Sequence, residues 1–114
     1  MSELEFECTL ARPLYEYNDK KYINLQLDDT VTEKINKIQY VSVQINPLVD
    51  NTLKVKLPFR YKKFEFRMIG AKTIYELNYD DPITVRIKYC GVWKLDGFSG
   101  HAWKVISIEY IDPP

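Results

Sequence analysis

The sequence holds one histidine, four glycines and two cysteines in 114 residues. A single histidine excludes any multi-histidine metal site. There is no GxSxG, no Gly-rich phosphate loop and no HExxH, so the common signatures of hydrolase, nucleotide-binding and zinc-protease chemistry are missing. Cys8 and Cys90 stand eighty-two positions apart and form no CxxC motif. Nothing supports a site built from two cysteines, the histidine and a carboxylate. Asp80–Asp81 precedes Pro82, which is turn chemistry rather than a cation site. These absences predict a non-enzymatic protein with no cofactor and no metal.

Long apolar runs are missing too. None approaches the roughly 20 residues of a membrane span, so no membrane partner is expected. Met1 to Glu7 carry three glutamates and no basic cluster, unlike a secretory signal. Two cysteines without such a signal fit a reducing compartment. The expectation is an intracellular protein of cytoplasm or nucleus, with residues 1–114 as a single domain. Apolar residues make up 46% of the chain, enough to build a core and too many for a disordered chain.

Net charge is also absent: sixteen Lys and Arg face sixteen Asp and Glu. That excludes a histone-like binder relying on bulk charge. The distribution is uneven, however. Residues 1–19 carry one cation and five acids, a net of −4. Residues 20–50 balance. Residues 51–72 carry seven cations (Lys54, Lys56, Arg60, Lys62, Lys63, Arg67 and Lys72) against Glu65 alone, a net of +6. The remainder sums to −2. Within the basic block lie Phe59, Tyr61, Phe64 and Phe66. Cations interleaved with rings suit a nucleic-acid surface, because cations neutralise phosphates and rings stack on bases. The competing reading is the solvated face of a hairpin.

Apolar residues recur with period two at Leu4–Leu10, Ile23–Leu27, Val41–Ile45, Leu53–Leu57, Phe64–Met68 and Ile83–Tyr89. Such alternation marks half-buried strands. His101 to Ile111 forms a last strand, apolar on both faces. Thr30 and Glu33 have capping-box spacing, and Val31, Ile35 and Ile38 then share one helical face. Residues 71–78 offer a second short helix. Asn18–Asp19, Asp50–Asn51 and Asp96–Gly97 are turn signals. The fold class expected is mainly β: an antiparallel OB-like barrel with one or two short helices. Residues 1–20 are open to being a loosely attached arm.

With the apolar partners inward, Lys54, Lys56, Tyr61, Lys63, Arg67, Arg86 and Lys88 point outward. On the last strand, Ile106, Ile108 and Tyr110 share one face and His101, Trp103 and Val105 the other. Trp103 is then a candidate stacking platform among cations, with core packing as its alternative. Trp93 continues the inward parity of Ile87 and Tyr89. Tyr15, Tyr17 and Tyr22 flank the turn at 18–19 and are open to ligand contact, though a rim position with a wet hydroxyl is the commoner role.

The C-terminal half carries a further pattern. It runs Ile69–Gly70–Ala71, a linker to Leu77, the basic strand Asp81–Pro82–Ile83–Thr84–Val85–Arg86–Ile87, then Gly91–Val92–Trp93, and Ser99–Gly100–His101–Ala102–Trp103–Lys104–Val105. This resembles the last two strands of OB-fold-like single-stranded DNA-binding proteins of large DNA viruses and related selfish elements, over about a third of the chain. The resemblance implies a viral-type DNA-replication role, with a groove partly formed by Arg86, Lys88, Trp93, His101, Trp103 and Lys104. It also implies barrel strands near 39–46, 52–57, 63–68, 83–93 and 101–111, with the earlier strands as an elaboration. The helix at 31–38 and the strands at 4–27 depart from a simple OB barrel. The partner expected is single-stranded DNA or RNA, bound with low sequence specificity through Lys54, Lys56, Tyr61, Lys63, Arg67, Arg86, Lys88, Trp93, His101, Trp103 and Lys104. The alternative is a viral-type structural or assembly β-domain without nucleic-acid affinity. In it the −4 segment clamps the +6 block within one chain or across a homo-oligomer.

Overall fold

A computed structural model describes residues 2–112. Mainly β, it contains nine strands and one helix: β1 (Glu3–Tyr17), β2 (Lys20–Gln26), α1 (Asp29–Ile38), β3 (Leu48–Val49), β4 (Thr52–Leu57), β5 (Phe59–Arg60), β6 (Lys63–Phe64), β7 (Arg67–Ile69), β8 (Pro82–Leu95) and β9 (Phe98–Tyr110). The main sheet has the order β3-β4-β2-β1-β8-β9-β7, and β5 and β6 form a separate two-stranded ribbon. A parallel bridge between Lys56 of β4 and Lys104 of β9 joins the sheet back on itself. Pairings therefore run in a closed circuit β1–β2–β4–β9–β8–β1.

Four two-residue turns make the hairpins: Asn18–Asp19, Asp50–Asn51, Tyr61–Lys62 and Asp96–Gly97, each with both residues at positive φ. That geometry matches the right-handed twist of paired strands. Inside the circuit the alternating residues Ile23, Leu25, Leu53, Val55, Leu57, Ile83, Val85 and Ile87 are buried. Val31 and Ile35 from α1, and Ile74 and Leu77 from the connection after β7, join the same core. Burial pushes the Cys8 thiol up to about 12, which leaves it protonated and unreactive at neutral pH.

Residues 3–17 are no loose arm: β1 sits between β2 and β8 and pairs with both, while Met1 lies outside the described residues. The first two strands belong to the closed circuit and are no elaboration, while residues 39–46 and 63–68 contribute no strand to it. Helix α1 begins earlier than the capping box implied, because the Asp28 carboxylate, not Thr30, accepts from the Val31 amide at 2.8 Å. Residues 71–78 form one turn, closed by Glu76 N–H to the Thr73 carbonyl and Thr73 N–H to the Glu76 carboxylate, too short to propagate as a helix.

Residues 39–46 alternate like a strand, yet Val41 and Ile45 are exposed. Side chains rather than a ladder hold this segment. Trp103 Nε1 donates to Gln39 Oε1 at 2.9 Å, and Gln39 Nε2 donates to Asn46 Oδ1 at 2.8 Å. His101 Nε2 meets the Val41 carbonyl at 2.8 Å. Only Ile45 bridges to β9, at Gly100.

Candidate nucleic-acid interface

The outer face of the sheet follows from strand parity and from two bulges. On β9, Ile106 is an extra residue, since Arg86 pairs with Ser107 but Ile87 with Val105. A bulge shifts parity by one. Consequently His101, Trp103 and Val105 face inward together with Ile108, instead of opposite to it. Trp103 is 2% exposed and His101 5%. The Trp103 ring lies 5.1 Å from that of Tyr89, and the Tyr89 hydroxyl meets His101 Nδ1 at 2.7 Å. Trp103 and His101 are thus core residues. Trp103 takes its core-packing alternative, so no base can stack on it, and no phosphate can reach His101, contrary to its place among the expected contacts.

The second bulge, at Cys90 of β8, turns Trp93 the other way. Tyr89 pairs with Trp103 but Gly91 with Ala102. Gly91 has φ +95°, a conformation cheap only for glycine. Beyond it Trp93 leaves the inward parity of Ile87 and Tyr89 and pairs with Gly100. A Cβ at Gly100 would fall 2.5 Å from the Trp93 ring, so the half-buried indole rests directly on the Gly100 backbone. The two tryptophans exchange the roles that simple alternation assigns them.

A row of cross-strand partners on the outer face then runs around the circuit: Tyr15 (β1), Tyr22 (β2), Lys56 (β4), Lys104 (β9), Lys88 (β8) and Glu3 (β1). Lys54 and Asn24 pair one step along. Tyr15 and Tyr22 stack with centroids 5.7 Å apart. The Arg12 guanidinium covers the Tyr15 ring at 3.7 Å, and Lys54 Nζ lies 4.3 Å from the Tyr22 centroid and 5.3 Å from that of Tyr17. Tyr15 donates its hydroxyl to Asn24 Oδ1 at 2.7 Å. Partial burial lowers the Lys54 pKa, because its ammonium has lost water. The tyrosine π-faces offset part of that loss, and an anionic oxygen would offset more. Burial raises the pKa of Tyr15 and Tyr22, so both phenols are neutral near pH 7.

The remaining candidates divide into groups. Arg86 is exposed and pairs with Glu5 at 3.5 Å, and Glu3 opposes Lys88 across the β1–β8 ladder. The acids of β1 therefore face the cations of β8. Among the described residues, ion pairs of segment 1–19 go to Lys21 and Arg86, not to the 51–72 block, and the expected intrachain clamp does not form. Arg67 is exposed beside Ser107. Tyr61 and Lys63 lie on the β5–β6 ribbon, which pairs with no strand of the row.

Sequence reasoning treated Tyr15, Tyr17 and Tyr22 as rim residues and passed over Arg12 and Asn24. Register shifts between Leu10 and Arg12 and between Arg12 and Tyr15 break the alternation that would have placed them on one face. Among the described residues no helix is long and apolar enough to cross a membrane, and no cluster of three or more His, Cys, Asp or Glu is suited to a metal. The chain matches no family model, and no curated protein or solved structure is significantly similar to it.

Proposed function

We propose that the protein binds single-stranded nucleic acid, DNA in the first instance, with low sequence specificity and without catalysis. The observation that carries this reading is the clustering of Lys54, Lys56 and Lys104 with Tyr15, Tyr17 and Tyr22 on one outer face. Phosphates would lie along the lysines, and bases against Tyr17, Tyr22 and, further along β8, Trp93. Such contacts read no base edges, so sequence preference is weak. The five-strand circuit supports an OB-type barrel, whose second and third strands carry the oligonucleotide-binding face. Here those strands are β2 and β4.

In a fluorescence-anisotropy titration with labelled oligo(dT) of about 15 nucleotides, the dissociation constant should be micromolar or tighter at about 50 mM salt and rise steeply by about 200 mM. Absence of binding at the lower salt rejects the proposal.

A second reading, a protein-interaction domain, has one observation in its favour. Leu95 and Phe98 at the β8–β9 turn are 66% and 56% exposed, and with Val43 they line one shallow depression. Contiguous apolar exposure marks contact surfaces. Light scattering across salt concentrations separates the readings: a salt-insensitive oligomer lacking oligonucleotide affinity favours this one.

A further inference from the structure

The β8–β9 hairpin extends past the start of β1. Strand β1 covers β8 from Pro82 to Lys88, and the Tyr89 amide donates to the Ser2 carbonyl at 3.0 Å. Beyond that point β8 pairs with β9 alone. The two edges of this projecting hairpin differ. On β9, Ser99 N–H donates to Gln44 Oε1 at 3.0 Å, and the Ser99 carbonyl accepts from Ile45 N–H at 2.9 Å. Residues 44–45 therefore cover that edge. Both Ser99 backbone groups point away from β8, so its cross-strand partner Lys94 directs its own N–H and C=O to the opposite edge. Val92, two residues back, does the same. Among the described residues, no backbone group bonds to either. An open edge of this kind is a template for another strand.

We infer that the strand added there is β8 of a second copy of this chain, antiparallel, with Trp93 opposite Trp93 of the partner subunit. In that register the edge is complementary to itself. Val92 faces Lys94 of the partner subunit, and Lys94 faces the partner's Val92. Each such pair exchanges two backbone hydrogen bonds. Each lysine stem also covers a valine that is 39% exposed. Leu95, 66% exposed, falls opposite the partner's Gly91. No side chain competes for that space, since a Cβ at Gly91 would meet no atom within 4 Å.

The neighbouring registers lack this match. A two-fold axis at Lys94 sets like charges directly opposite each other, which repel. An axis at Val92 aims Leu95 at Tyr89, whose amide already belongs to Ser2. Lys94 is the one charge between Gly91 and Leu95, and a lysine on an open edge ordinarily deters pairing. One step from the axis it meets a valine instead of its own copy, so the same residue that discourages other registers permits this one. The contact is isologous and closes at two copies. It stands apart from the nucleic-acid reading, and either can fail without the other.

Sedimentation velocity at rising protein concentration should show a monomer–dimer equilibrium that salt changes little, because backbone bonds and apolar contacts are not screened. Lys94→Pro removes an N–H that the β8–β9 ladder does not use. It should keep the thermal midpoint and weaken dimerisation by about tenfold or more, the scale of two lost backbone hydrogen bonds. Cross-linking tests the register without disrupting it. In a Cys90→Ser background, Trp93→Cys should form an intermolecular disulfide under mild oxidation, because opposed residues of such a pair lie about 4.5 Å apart at Cα, within disulfide reach. Leu95→Cys in the same background should stay largely unlinked, since each Leu95 faces a glycine. A monomer at every concentration overturns this inference and leaves the single-strand proposal standing. A dimer that Lys94→Pro leaves intact, or equal cross-linking at 93 and 95, overturns the assignment to this edge. A dimer with the predicted cross-link and no affinity for oligonucleotides supports this inference and rejects the nucleic-acid proposal.

Discussion

Replacing Lys54, Lys56 and Lys104 together by glutamine should weaken oligo(dT) binding by about a hundredfold near 0.1 M salt. Each phosphate neutralised on a single strand adds about 0.7 to the slope of log affinity against log salt. Three contacts therefore account for about two decades between molar and tenth-molar salt, and the variant's slope should be shallower by about 2. The three positions are chosen by pairing, since Lys56 bridges β4 to β9 at Lys104 and Lys54 lies over Tyr22. Glutamine keeps half of lysine's aliphatic stem without the charge, and the replaced side chains lie on the outer face, so the thermal midpoint should move little. The control is Arg86→Gln. Arg86 is engaged by Glu5, and its loss should change the slope little. An unchanged slope in the triple variant would remove the outer face from consideration.

Trp103→Ala should have the largest effect on stability. The ring is 2% exposed, packs on Tyr89, and donates to Gln39, itself 6% exposed. Truncating a buried tryptophan costs about 3–5 kcal/mol. Leaving the Gln39 carbonyl oxygen without its donor adds to that, because an unsatisfied buried acceptor costs about 1–3 kcal/mol. Against a total stability of about 5–15 kcal/mol, the variant is at the edge of folding. Its melting midpoint should drop by about 15 °C or more, at about 4 °C per kcal/mol. A stacking platform at Trp103 would instead give a binding defect in an intact domain. Calorimetry decides between them: a near-normal midpoint with lost affinity restores the exposed-platform reading.

How much was legible from the residues depends on where alternation runs unbroken. At 23–27, 53–57 and 83–89 the period-two pattern names both the strand and its buried face, and all three lie in the closed circuit with the expected residues inward. Turn residues at 18–19, 50–51 and 96–97 likewise announce their hairpins. Alternation fails where the ladder takes in an extra residue. Ile106 is apolar like its neighbours, so nothing local marks it as the bulge that turns Trp103 inward. Gly91 does mark the bulge at Cys90, yet a glycine alone does not say which way Trp93 then points. Residues 39–46 mislead for a different reason. Their β-branched alternation is genuine, but Gln39, Asn46 and the buried His101 and Trp103 offer hydrogen bonds that secure the segment without a ladder. The tyrosine–cation face joins residues from β1, β2, β4 and β9, and no local spacing relates Arg12 to Lys54 or Lys56 to Lys104.

The measurement that tests the central claim most directly is amide chemical-shift mapping of the isotopically labelled protein during titration with oligo(dT). The account predicts that the largest shifts fall on Tyr15, Tyr17, Tyr22, Lys54, Lys56 and Lys104, with the buried Ile83, Val85 and Ile87 of β8 nearly unmoved. Shifts confined to the β8–β9 turn around Leu95 and Phe98, or no shifts at all under low salt, would contradict it.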